Sequence, residues 1–178
     1  VYLSLEEKMG WPISREDLSL VTGKGTSSFQ NIPAIINIDE DFLRFIGYYL
    51  SEGCITMDES LRTRLTFHSD ESQFINDVKL FLEDKNIRYS DYRSKVCKTA
   101  CIKISSNIFG YLLRDILNCG VDSYSMKIPQ RFMLLPKKLK LHLIMGILRG
   151  DGGVDCVSRM HSYVKNHKHY KHNFNSAT

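Results

Sequence analysis

The chain has 178 residues, 43% of them hydrophobic and 25% charged, the values of an ordinary globular domain long enough to bury a core. No apolar run reaches the roughly 20 residues of a membrane span, and the first residues lack a signal-peptide layout, so a helical membrane protein is excluded and a soluble, intracellular chain is expected. The formal net charge of +4 allows a nucleic-acid partner without requiring one.

Residues 1–40 read as a separate approach segment, a flexible arm or a remnant of a neighbouring domain, punctuated by Trp11-Pro12 and by Thr22 to Ser28. Gly23-Lys24-Gly25-Thr26 is not a phosphate loop, because Leu18 stands where the first glycine of that motif belongs. Asp39 or Glu40 is placed to cap a helix through Phe42, Phe45, Ile46 and Tyr49, ending near Gly53 in a glycine suited to a helix C-terminus. Strands follow at Cys54 to Met57 and Leu61 to His68. The second alternates, with Leu61, Thr63, Leu65 and Phe67 on one face and Arg62, Arg64, Thr66 and His68 on the other. Ser69-Asp70-Glu71 opens a second helix that Asn86 ends, and a hairpin of Ile87 to Lys95 and Lys98 to Ser105 carries Arg93, Lys95, Lys98 and Lys103. A third helix runs from Ser106 to Leu117.

Residues 121–138 link this unit to a second one over 139–178, and Leu135-Pro136 of the link leads into another apolar helix. Val154 to Val157 fits a strand, Arg159 to Lys171 a basic connection, and Tyr170 to Phe174 the start of another strand. The four histidines there, His161, His167, His169 and His172, lack the cysteine pair of a common zinc site. The five cysteines, Cys54, Cys97, Cys101, Cys119 and Cys156, are scattered and read as free thiols.

Two stretches repeat each other. Phe45-Ile46-Gly47-Tyr48-Tyr49-Leu50-Ser51-Glu52-Gly53 and Ile144-Met145-Gly146-Ile147-Leu148-Arg149-Gly150-Asp151-Gly152 match in a glycine, a small residue, a carboxylate and a final glycine at one 99-residue offset. Gly47 and Ser51, like Gly146 and Gly150, form a stripe of small residues that lets two helix backbones approach closely. Packed stripe to stripe, the helices deliver Glu52 and Asp151 to one end of the pair. Two carboxylates crowded there call for a hard divalent cation with oxygen ligands, Mg²⁺ (or Mn²⁺), an arrangement suited to phosphodiester hydrolysis.

On these motifs, carried by Asp41 to Gly53, Leu139 to Gly153 and Lys127-Ile128-Pro129, the chain resembles the LAGLIDADG homing endonucleases, most of all the intein-borne branch. The resemblance implies an α+β fold of αββαββα repeats, each with a four-stranded antiparallel saddle sheet that lies along DNA. Here the first repeat covers 41–120. The second is incomplete, with 26 residues after Gly152 against 67 from Gly53 to Gly120. It implies catalytic roles for Glu52, Asp151 and Lys127, with the backbone carbonyls of Ser51 and Gly150 assisting at the metal. It also implies double-stranded DNA with a long recognition site as partner, bound through the sheet residues Arg62, Arg64, Thr66, His68, Arg93, Lys95, Lys98 and Lys103. A complete chain would be a pseudo-symmetric monomer, and a missing half could be supplied in trans. The alternatives are a nucleic-acid-binding relative without cleavage, maturase-like or regulatory, and an inactive, self-associating fragment.

Overall fold

The computed structural model describes residues 19–22, 30–57, 60–94, 96–151, 160–165 and 168–173. Strands β1 (Ser19–Thr22) and β2 (Gln30–Pro33) form an antiparallel hairpin within the segment read as a flexible arm or a domain remnant. Short runs such as Leu20-Val21-Thr22, split by a Gly/Ser-rich connection, are too brief for periodicity to reveal. Ile32 of β2 is buried in the main core.

Helix α1 (Glu40–Glu52) begins where the Asp39 carboxylate accepts from the Phe42 amide at 2.8 Å, satisfying one of the unpaired donors of a helix N-terminus. It passes into β3 (Gly53–Met57) with no intervening residue. Gly53 is therefore extended (φ −93°, ψ 157°) rather than left-handed. A side chain there would meet the Tyr49 carbonyl and ring, so close contact, and not a turn, calls for glycine. Strand β4 (Leu61–His68), α2 (Ser72–Asp84), β5 (Tyr89–Ser94), β6 (Thr99–Ile104) and α3 (Asn107–Tyr111) follow. The αββαββα order is the one expected, and the sheet runs β3-β4-β6-β5, antiparallel throughout.

Helix α2 opens at Glu71, within the Ser69-Asp70-Glu71 opening that is expected. Glu71 does not cap α2 with its side chain; its carboxylate instead accepts from the His68 amide at 2.8 Å, closing the end of β4. The third helix is regular only to Tyr111 and continues as a π-helical turn, Leu112–Ile116, in which the Leu117 amide donates to the Leu112 carbonyl at 2.9 Å. Over a single turn, apolar spacing does not separate a four-residue step from a five-residue one.

The core lies between α1, α2 and the inner sheet face. Phe45 stacks on Phe81 at 4.6 Å and meets Phe109 edge-on at 5.5 Å, with Leu65, Phe67, Ile102 and Ile104 beneath. Tyr49 is buried with its hydroxyl donating to the Gly120 carbonyl at 2.7 Å, which pairs the one polar atom of a large apolar group. Beyond a 3₁₀ turn (Gln130–Leu134), α4 (Lys137–Gly150) starts after Pro136. Its Leu141, Ile144, Met145 and Leu148 are exposed along one stripe, whereas the residues 99 positions earlier, Phe42, Phe45, Ile46 and Tyr49, are buried.

Strands β7 (Met160–Lys165) and β8 (Lys168–Asn173) form an antiparallel hairpin. This corrects the reading of Arg159 to Lys171 as a connection, and of a strand beginning only at Tyr170. A run so rich in lysine and histidine reads as a solvated connection rather than as strands. The strand expected at Val154 to Val157 lies outside the described residues.

Candidate active site and nucleic-acid interface

Helices α1 and α4 pack in parallel along their small residues. A Cβ built on Gly47 would stand 2.7 Å from Gly146 Cα and would overlap the Leu143 carbonyl oxygen; one on Gly146 would stand 2.8 Å from Gly47 Cα and overlap the Arg44 carbonyl oxygen. Backbone thus meets backbone, a separation that any side chain at these positions would prevent. At the N-terminal end Glu40 binds Lys138 Nζ at 2.7 Å and His142 Nε2 at 3.2 Å, and Arg44 Nη2 lies 3.1 Å from His142 Nδ1. At the other end Gly150 sits on Ser51, where an added Cβ would be 2.6 Å from Ser51 Cβ and 3.1 Å from Glu52 Oε1. The structure therefore brings Gly47, Ser51, Gly146 and Gly150 together as one seam.

That seam sets Glu52 and Asp151 side by side. Glu52 is half-buried, and burial first, then the neighbouring carboxylates of Asp151 and Glu71, push its pKa up from the usual 4.5 to about 7. Asp151 is exposed at the end of α4, its amide donating to the Ile147 carbonyl at 3.1 Å. Among the described residues no group of three or more His, Cys, Asp or Glu side chains forms a metal cluster. Two crowded carboxylates suit a cation that keeps several waters, as Mg²⁺ does. The Ser51 hydroxyl is turned back to the carbonyls of Gly47 (3.2 Å) and Tyr48 (3.3 Å).

The raised carboxyl makes stability depend on pH. Its folded pKa exceeds its unfolded one, so its contribution is full below about 4.5 and is lost as pH rises through about 7. In EDTA, wild type should lose stability relative to Glu52→Gln between pH 5 and pH 8, read from urea midpoints. A difference that stays flat would contradict the burial of the Glu52 carboxyl beside other acids.

Lys127 is exposed, and its amide donates to the Cys119 carbonyl at 3.0 Å. This roots its loop beside Gly120, which accepts from Tyr49 near the end of α1. The charges that act on Glu52 are those of acids, and Lys127 is not among them.

The outer sheet face follows from the register. Arg62, Arg64, Thr66 and His68 stand on it as the alternation of β4 predicts, with Thr56 opposite Arg62, Lys103 opposite Arg64, Cys101 opposite Thr66 and Thr99 opposite His68. Thr56, Arg62, Arg64, Cys101 and Lys103 line a depression of about 300 Å³. Arg93 does not join them. It lies opposite buried Ala100, on the side where Asp91 pairs with Lys79 of α2, so the outward residues of β5 are Ser90, Tyr92 and Ser94. An edge strand polar on both faces hides this parity from sequence reading; Tyr92, 69% exposed opposite Cys101, is the outward aromatic residue. Lys98 occupies the hairpin turn at φ +50°, and Lys95 lies outside the described residues. The four described cysteines are free. Among the described residues no helix is long and apolar enough to cross a membrane.

No family model matches the chain. An uncharacterised protein of Methanocaldococcus jannaschii is 39% identical over 141 residues, which are 76% of this chain and 15% of that protein. The DNA polymerase II large subunit of Thermococcus kodakarensis is 26% identical over 125 residues, 70% of this chain and 7% of that subunit. A DNA-directed RNA polymerase subunit, Rpo1C, of M. jannaschii is 26% identical over 141 residues, 78% of this chain and 16% of that subunit. The chain thus spans 16% or less of the length of each of these curated relatives. Among solved structures, that of I-DmoI in complex with DNA and Mn aligns over 64% of this chain and 63% of that one, at 12% identity and a TM-score of 0.46.

Proposed function

We propose that the chain is the core of a LAGLIDADG-type homing endonuclease that cuts both strands of a specific DNA site with a divalent metal ion. The observation that carries this reading is the parallel α1–α4 seam, which sets Glu52 beside Asp151 at the same end of both helices. The relatives support it from another side. One segment recurs inside a DNA polymerase subunit and an RNA polymerase subunit, filling 7% and 16% of them. That is the distribution of a self-contained unit carried within larger proteins of different function, as the intein-borne reading requires.

Glu52 and Asp151 would hold the cation, with the Ser51 and Gly150 carbonyls as further oxygen donors. Bound there, Mg²⁺ would supply charge neutralisation at the phosphate and a more acidic water. Lys127 would stabilise charge developing on the attacked phosphate. Arg62, Arg64 and Lys103 give the outer face its charge for phosphate and guanine contacts, while Thr66, His68, Thr56 and Tyr92 offer hydroxyl, imidazole and aromatic groups to base edges.

The interface is tested by Arg62→Glu with Arg64→Glu. Binding to a duplex carrying the uninterrupted host-gene site should weaken at least 100-fold, and the slope of log K against log salt should flatten by about 2, roughly one for each phosphate that the pair no longer neutralises. An unchanged slope would remove this face from the interface. Cleavage of a plasmid bearing that site, with Mg²⁺ and with EDTA, separates a nuclease from a binding protein.

A further inference from the structure

The two motif helices are not equivalent at the end that carries the carboxylates. Arg149, two residues before Asp151, reaches across α1. Its Nη1 donates to Tyr48 Oη and to Asp77 Oδ2, both at 3.2 Å, while Tyr48 Oη donates to the same Asp77 oxygen at 2.8 Å. The guanidinium lies 5.7 Å over the Phe74 ring, and Phe74 stacks on Tyr48 at 5.8 Å. Tyr48 is fully buried, with Arg149 and Asp77 partly so. At the 99-residue offset the place of Arg149 on α1 is taken by Leu50.

The last turn of α4 is therefore fixed at two points. One is Gly150 on Ser51, a steric contact that permits rotation about the helix axis. The other is Arg149 on Tyr48 and Asp77, a directional contact that does not. Each residue step along a helix turns a side chain through about 100°, so the rotation of this turn decides where the Asp151 carboxylate points. The hydrogen bond that its amide donates to the Ile147 carbonyl makes Asp151 part of that turn.

We infer that Arg149, Asp77 and Tyr48 form a positioning network through which the first repeat aims Asp151 at Glu52, an aid that only one of the two motif carboxylates receives. This rests on Glu52 and Asp151 being the metal-holding pair. The network acts through the rotation of the last turn of α4.

Charge alone and positioning predict opposite signs for one substitution. Removing the Arg149 cation from the turn of α4 that leads to Asp151 should strengthen cation binding if only electrostatics mattered. If positioning dominates, binding should weaken, as it does when groups that orient a metal ligand are removed, by about 10- to 100-fold. Mn²⁺ binding to the 178-residue chain would be measured by calorimetry well below the thermal midpoint of each variant. Arg149→Leu, which installs the α1 residue at this position, should weaken Mn²⁺ binding at least tenfold. Arg149→Lys should recover most of the loss, and Asp77→Asn with Arg149→Leu should be little worse than Arg149→Leu alone, because the groups act as a unit. Equal or tighter binding by Arg149→Leu, with Glu52→Gln still abolishing binding, overturns the network and leaves the metal site standing. Undiminished binding by Glu52→Gln overturns the metal site and the network with it.

Discussion

Gly47→Val should separate the two motif helices and lower stability by at least about 3 kcal/mol. Overpacking a core usually costs about 1–3 kcal/mol, because neighbouring side chains move aside. At Gly47 the obstacles are the Leu143 carbonyl, Gly146 Cα and the Ile147 nitrogen, and backbone atoms cannot rotate away. Gly146→Val meets Arg44 and Gly47 backbone in the same manner and should cost as much. Urea unfolding followed by circular dichroism measures both. A loss under about 1 kcal/mol in either variant would mean that the helices do not touch backbone to backbone. Combining the two should cost less than the sum of the singles, since the first already opens the seam.

The seam was legible because it is written twice. One glycine followed four residues later by a small residue carries little information, but the recurrence of Gly47, Ser51 and Glu52 as Gly146, Gly150 and Asp151 at a single offset fixed both the pairing and its parallel sense. Strand β4 was equally open to reading, since Leu61 to His68 alternates without a break and one face is buried. Strand β5 was not. Its six residues carry polar groups on both sides, so parity had to come from the register with β6, and Arg93 changed faces as a result. The β1–β2 and β7–β8 hairpins escaped for a related reason. Each strand is six residues or fewer, and a short polar run looks like a loop until its partner is known. The Arg149–Asp77–Tyr48 network lay beyond sequence reading altogether, because its members are brought together across 72 and 101 positions and no periodicity links them.

The second large effect concerns chemistry. Replacing either carboxylate by its amide removes a charge from the paired site while keeping shape and hydrogen-bonding capacity. Loss of a single group that stabilises developing charge costs about 10²–10³ in rate, and losing part of a metal site should cost at least the upper figure. Binding should survive, because the cations of the outer sheet face do not touch the seam residues. DNA affinity in Ca²⁺-free buffer should change by less than about threefold, or tighten slightly as one negative charge leaves the phosphate side. The direction of that small change separates the two roles, since a residue that served DNA binding would weaken it.

The most direct measurement is cleavage of a plasmid carrying the uninterrupted host-gene site by wild type, Glu52→Gln and Asp151→Asn, in Mg²⁺ and in EDTA, with DNA affinity determined alongside. The account predicts linear product from wild type in Mg²⁺ only, at least 10³-fold slower cutting by both variants, and near-native affinity in all three. Wild-type-like cutting by both variants, or cutting in EDTA, would contradict it.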